Sequence, residues 1–451
     1  MSFANKMIPC DSFYRVMKLS AMTRVYRLSE YAYAALALFA LTQGPVMRVW
    51  KPSEGLLGSL PNPSIPHVHF ATYLAVQLPA LALWMRRVKA DWWLQRSNQA
   101  LLAFVGWLGL SVLWSTFARH SFPEFIALIM TMVFGLYLAA SFTVREFWSI
   151  VVAAMGLGVV SSWFAVMRLW DGAVNFQEDY WIGIYYNRNS LAPVTAAAII
   201  GVLGFVFSFW QPSRKWFTRE HLVVFLVGAV VLVMSVIELW QSESQTSPAA
   251  LVLTAFLCVV WLVVRQAINR NPAFESVSTR SVSVSIVVVA IVVYFLLRLE
   301  IVSGGIDTQT TSFNQRSGLW ALSWDGVLDK PWHGWGWLAA WRTPLFLLSK
   351  EEPTWMALGF EWSHSGYMDL LLGGGFIAAI LFVGYIWFAS ETPKTESLLL
   401  TLPRVALGGF VLIAATQESF FIGSHFLWAL MVAAFALPQP RPHLVEEQDS
   451  D

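Results

Sequence analysis

Three residues far apart in the chain have the chemistry to act on a phosphorylated, hydroxyl-bearing substrate: Arg188, Arg316 and His364. A guanidinium grips phosphate oxygens through two parallel hydrogen bonds. An imidazole takes a proton from a hydroxyl near neutral pH. His364 lies in W-S-H-S-G-Y-M-D (Trp362–Asp369), at the lip of an apolar segment, with Asp369 just inside it. A carboxylate at that depth is costly and tends to be functional or paired; it is expected to orient His364 or to hold an arginine. Arg188 lies in Y-Y-N-R-N-S-L-A, where Asn187, Asn189 and Ser190 could cap a helix whose N-terminus favours anions. Arg316 sits in S-F-N-Q-R-S-G-L-W (Ser312–Trp320). Each has a plainer reading: a structural hydrogen bond for His364, an ion pair with Asp325, Glu361 or Asp369 for Arg316, and a snorkelling arginine beside a simple cap for Arg188.

The elements that must position these residues are membrane helices. Of 451 residues, 57% are apolar and 13% charged, where a soluble domain carries about 25% charged residues. Twenty-four tryptophans suit the bilayer interface. The class is therefore an all-α polytopic membrane protein. A net charge of +1, with no basic run and no zinc pattern, gives no nucleic-acid signal. Cys10 and Cys258 fit no metal or redox spacing. His67 and His69 form an H-x-H without a third ligand, and no D-x-D pair lies in an outer loop, so neither metal nor cofactor is expected. The first 28 residues are too polar for a cleaved signal peptide.

About twenty apolar residues span a bilayer. Twelve such segments are predicted: 30–48, 68–86, 99–118, 123–142, 147–168, 190–210, 221–240, 248–266, 281–301, 366–389, 403–421 and 424–438. Basic residues gather in alternate loops, among them Arg86, Arg87, Arg145, Lys215, Arg270 and Lys394. Those loops are cytoplasmic by the positive-inside rule, as are both termini. This gives a cytoplasmic segment 1–29, helices one to nine over 30–301, a large extracytoplasmic loop over 302–365, helices ten to twelve over 366–438, and an acidic tail 439–451. Arg188 and Arg316 fall on the side where cations are disfavoured, and anion binding would account for that.

In the loop, Trp320, Trp324, Val327 and Leu328 recur at helical spacing, predicting an amphipathic helix that Pro331 ends. W-H-G-W-G-W then reads as a flexible turn at Gly334 and Gly336, followed by apolar stretches at 344–348 and 354–362. Trp320, Trp335 and Trp337 are expected to form a lid whose rings stack on sugars; the plainer reading is interfacial anchoring. Gly373–Gly375 would allow close helix packing. Glu238 and Glu418, near outer helix ends, carry no assigned role.

At these residues the chain resembles the O-antigen ligase and polymerase superfamily, bacterial membrane glycosyltransferases that use undecaprenyl-linked glycans. The family's late signature is a histidine, then Asn, Ser or Gln, nine residues and G-x-x-G. Here it reads His364, Ser365, nine residues, Gly375, and Ala378 in place of the second glycine. Upstream, Arg316, Leu319-Trp320, Pro331 and Gly334-x-Gly336 follow the family's order, and Asn187–Ala192 resembles its N-x-N-x-x-A element. Residues 241–251 resemble its S-K-T-A-L-L element but place Gln245 where a basic residue is expected.

The resemblance implies a GT-C-like fold and a metal-independent, inverting transfer of a glycan from undecaprenyl diphosphate to an acceptor hydroxyl, such as that of a lipid A core. Arg188 and Arg316 would hold the pyrophosphate and His364 would activate the acceptor. It also implies an inner-membrane location, with lipid-linked glycan, acceptor and membrane lipids as partners. A polymerase joining lipid-linked repeats is the alternative. A lipid-linked glycan transporter is a weaker one, because the halves of the chain do not repeat and the charges gather at the outer edge.

Overall fold

The computed structural model describes residues 10–44, 65–170, 172–176, 178–209, 219–270, 284–285, 288, 312–343, 362–391, 398–420 and 425–437. Twelve long helices occur among them. They are α1 (Cys10–Leu41), α2 (Ile65–Arg87), α3 (Arg96–Leu110), α4 (Ala118–Ser141), α5 (Val144–Met167), α6 (Arg188–Phe209), α7 (Arg219–Gln241), α8 (Thr246–Arg270), α9 (Ser312–Asp329), α10 (Gly366–Ala389), α11 (Leu398–Ala414) and α12 (Phe426–Ala436). A two-residue antiparallel pairing, β1 (Val174–Asn175) with β2 (Tyr180–Trp181), is the one departure from helix and turn among the described residues. Every predicted span except 281–301, which lies mostly outside the described residues, overlies a helix. Among the described residues, six helices are long and apolar enough to cross a bilayer by length and composition, and α11, α12 and part of α7 are shorter apolar helices. The chain is a multi-pass helical membrane protein. The predicted stretches 344–348 and 354–361, all of 302–311, the tail 439–451, and the side chains of His67 and His69 lie outside the described residues.

Local chemistry sets several ends. Thr143 caps α5 in a reciprocal box, accepting from Glu146 N–H while the Glu146 carboxylate accepts from Thr143 N–H. Among the helix contacts, α5 lies against α1, α6 and α7, α4 between α2 and α12, and α11 against α6, α8 and α12. Gly204 on α6 lets Trp148 of α5 lie flat across it; a Cβ there would meet the indole at 2.5 Å.

The ends of α1, α2, α4 and α5 are tied together by ion pairs. Glu30 takes both Arg87 nitrogens, Arg27 at 3.3 Å and the Tyr137 hydroxyl at 3.2 Å. Arg27 continues to Glu146 at 2.8 Å. Glu30 is 5% exposed. Removing one partner from a buried pair leaves the other uncompensated, worth about 3–5 kcal/mol. Glu30→Ala is therefore expected to lower the melting temperature of the purified protein clearly more than Arg27→Ala, whose side chain is 35% exposed; equal shifts would show that the network carries no special weight.

The predicted span 366–389 is a helix over those bounds, but it is kinked inside. α10 is broken at Gly375, whose φ of 67° and ψ of −169° belong to a region essentially reserved for glycine. The break lies about 13 Å along the helix from Gly366, taking 1.5 Å per residue. Backbone groups freed at that depth must be satisfied by protein, and residues 331–336 satisfy them. Trp335 N–H donates to Leu372 O (2.8 Å) and Gly336 N–H to Gly373 O (3.1 Å). Phe376 N–H donates to Pro331 O (2.7 Å) and Ile377 N–H to Trp332 O (3.3 Å). The Trp107 indole of α3 takes Gly374 O at 2.8 Å. The W-H-G-W-G-W segment is thus a strap wedged between two half-helices. Gly334 and Gly336 have φ of 68° and 98° because the strap lies directly on the α10 backbone and on Ser115.

Candidate active site

His364 stands at the head of the first half-helix of α10. Its φ is 52°, a left-handed conformation that costs an L-residue about 1–2 kcal/mol, so neighbours must hold it there. Ser363 N–H donates to Asp369 Oδ1 at 2.9 Å, and Ser363 Oγ donates to Ser365 O at 2.8 Å. Asp369 Oδ2 accepts from the Ser419 hydroxyl. Gly366 N–H reaches Ala415 O (2.8 Å) and Glu418 O (3.1 Å). The Trp320 indole of α9 donates to Ser363 O at 3.0 Å. The turn bearing His364 is therefore pinned to α9 on one side and to the 415–419 turn on the other.

The imidazole itself meets Glu418: Nδ1 lies 3.4 Å from Oε2. Glu418 is 8% exposed, and the His364 side chain 22%. A carboxylate on one ring nitrogen orients the ring and fixes which nitrogen carries the proton. The other nitrogen is then the one able to accept a proton. The exposed Trp362 ring flanks the imidazole, with centroids 6.2 Å apart.

Arg188 and its neighbours gather at the same end of the bundle. Asn187 Oδ1 accepts from Ser190 N–H (2.9 Å) and from its hydroxyl (3.2 Å), capping α6 as expected. Asn189 Oδ1 accepts from Ser244 Oγ at 3.2 Å, which joins the start of α6 to the start of α8. On α11, Gly409 faces Thr254 of α8, and Arg404 and Trp261 line one cavity further along. The two helices run antiparallel, so the end of α11, with Glu418 beyond it, falls beside the start of α8. The Arg188 guanidinium lies 4.7 Å over the Tyr180 ring and is half-buried. Arg316 lies in α9, one turn before Trp320; its side chain lies outside the described residues.

Several expectations change. Asp369, expected to orient His364 or to hold an arginine, is 2% exposed with its oxygens taken by Ser363 and Ser419; it braces the backbone behind His364. Trp337 is 1% exposed, packed on Gly373, and cannot stack on a sugar in this conformation. Trp335 donates to Gly326 O at 2.8 Å and carries the Lys330 ammonium 4.0 Å over its ring. The buried stripe of α9 is Leu319, Ser323 and Val327, whereas Trp324 and Leu328 are 42% and 57% exposed. An interfacial helix can point large apolar groups outward, so their spacing does not identify the packed face. In 242–247, Ser242, Ser244, Thr246 and Ser247 are buried, and Gln245 is exposed. Glu418 and Ser419 acquire clear places. The signal for them was a Q-E-S triplet interrupting an apolar segment, where polar groups need partners.

These features define a multi-pass helical membrane protein with a histidine–carboxylate pair at the head of a broken helix. Residues 242–383 match the family model for O-Antigen ligase, so that segment of the chain is similar to this family. Members of this family are glycosyltransferase-like enzymes working on lipid-linked glycans and acceptors. No protein of curated function matches the chain.

Proposed function

We propose that the chain transfers a glycan from a polyprenyl diphosphate, such as undecaprenyl diphosphate, to an acceptor hydroxyl at the outer face of the cytoplasmic membrane, with both termini inside. The observation that carries this reading is His364, inside the matched segment, held in a strained, braced turn and paired with Glu418 beyond it. Glu418 holds the imidazole by Nδ1, and the other ring nitrogen takes the proton from the acceptor hydroxyl as that oxygen attacks the anomeric carbon. The bond to the diphosphate breaks on the opposite face, inverting the centre. Positive charge from Arg188 and Arg316 compensates the developing charge on the leaving group, so no metal is required for its departure. A lipid A core is the acceptor that fits ligase chemistry; a second lipid-linked repeat would make the enzyme a polymerase.

The test is incubation of the purified protein with a defined polyprenyl-diphosphate oligosaccharide and candidate acceptors, with chelator present. A single new glycolipid band indicates ligation, and a ladder indicates polymerisation. Movement of labelled donor across vesicles without a new glycosidic bond would overturn the reading. Arg316→Ala is expected to abolish transfer, with size-exclusion behaviour unchanged. Near-normal product from that variant would remove Arg316 from the mechanism.

A further inference from the structure

Away from His364, at the other end of the bundle, α8, α10, α11 and α12 surround a cavity with about 740 Å³ of empty space, part of it open to the surface. Its wall is mostly apolar, with Leu257, Trp261, Ile386, Leu412 and Phe435 among the lining side chains. Arg404 is the one charged group among the described lining residues, and no carboxylate is among them. Arg404 is 6% exposed and its Nε donates to Ala434 O at 2.9 Å. One turn beyond Trp261, Arg265 is 1% exposed, its guanidinium 5.0 Å over the Trp261 ring. On the α11 side the wall is Gly408 and Gly409; a Cβ on Gly409 would meet only Thr254, at 3.7 Å. The cavity reaches Ile386 and Ala389, more than twenty residues along α10 from its head. That is about 30 Å at 1.5 Å per residue, so the cavity and the His364 site are separate.

A guanidinium buried at membrane depth is costly and marks a place for an anion or a pathway. Basic pockets between membrane helices suit anionic headgroups. Here Arg404 lines a mostly apolar space, and Arg265 follows one turn beyond the lining Trp261. We propose that this cavity binds an anionic phospholipid of the cytoplasmic leaflet. Its phosphate lies at Arg404, with Arg265 behind it, and an acyl chain lies along Trp261, Ile386 and Leu412. The choice of leaflet follows the orientation proposed above; the cavity is present in either orientation.

The test is native mass spectrometry of the full chain in detergent, with phosphatidylglycerol or phosphatidylcholine of matched chains. Retention of phosphatidylglycerol is expected to exceed that of phosphatidylcholine at least fivefold. Arg404→Gln should bring the ratio close to one, and Arg404→Lys should keep part of it. Gly409→Leu, which fills the cavity, should lower retention of both lipids and guards against failure of the arginine variant to fold. Equal retention of the two headgroups by the parent protein would overturn the proposal, as would a preference unchanged in both Arg404→Gln and Gly409→Leu. Displacement of phosphatidylglycerol by stoichiometric polyprenyl diphosphate would assign the cavity to the donor and also overturn it. No transfer reaction is read, so the outcome is independent of the function proposed above.

Discussion

His364→Gly is expected to be devoid of transfer activity while staying near the parent's stability, because relief of backbone strain offsets the buried Glu418 carboxylate left without the imidazole. The two effects have separate causes in one residue. The backbone at His364 is left-handed, with φ at 52°, and glycine relieves a strain of about 1–2 kcal/mol. The imidazole paired with Glu418 at 3.4 Å is lost, and loss of a general base lowers the rate by about 10²–10⁴. Melting temperature and product formation from lipid-linked donor, measured on the same preparation, check both halves. His364→Asn, whose side chain tolerates left-handed backbone, should keep the fold and remain inactive. Glu418→Gln keeps the shape but removes the charge, so a smaller loss is expected, felt in kcat more than in KM. An active His364→Gly protein would dismiss the histidine from catalysis. An inactive and destabilised one would mean that the ring is a structural prop.

Gly375→Ala is expected to prevent folding or to lower stability by at least about 3 kcal/mol. Two penalties combine. The conformation at φ 67° and ψ −169° costs a side-chain-bearing residue about 1–3 kcal/mol. A Cβ would also stand 2.5 Å from His333 N, against backbone that has no side chain to move aside. Its insertion pushes the 331–336 strap off α10 and frees four backbone hydrogen bonds at membrane depth, each expensive without water. Gly384→Ala on the same helix is the control, because a Cβ there meets nothing within 4 Å; alanine should be neutral or slightly stabilising. Yield of monodisperse protein and melting temperature decide the matter. Equal behaviour of the two variants would mean that the break in α10 carries no energetic weight.

The strap also explains which parts of the site could be read in advance. Hydrophobic length located the spans, because a bilayer demands about twenty apolar residues wherever the chain crosses it, and that demand is local. The same logic placed His364 and Arg188 at helix heads and read Asn187 as a cap, since capping involves residues three apart. The spacing in α9 marked an amphipathic helix without saying which face packs, and there Trp324 and Leu328 point outward. In water an apolar stripe marks the core, but at a membrane surface it marks either the core or the lipid.

Composition and periodicity by themselves determined a helical membrane protein with its cations and one histidine at the rim. Only the tertiary structure joined His364 to Glu418 across 54 positions of chain, set Asp369 behind it as a brace, sank Trp337 into the core and threaded 331–336 through a broken α10. The reason is physical: a span forms from the transfer energy of its own residues, whereas a buried carboxylate, a glycine-only bend or an inserted strap takes its meaning from whichever distant segment supplies the hydrogen bonds it lacks.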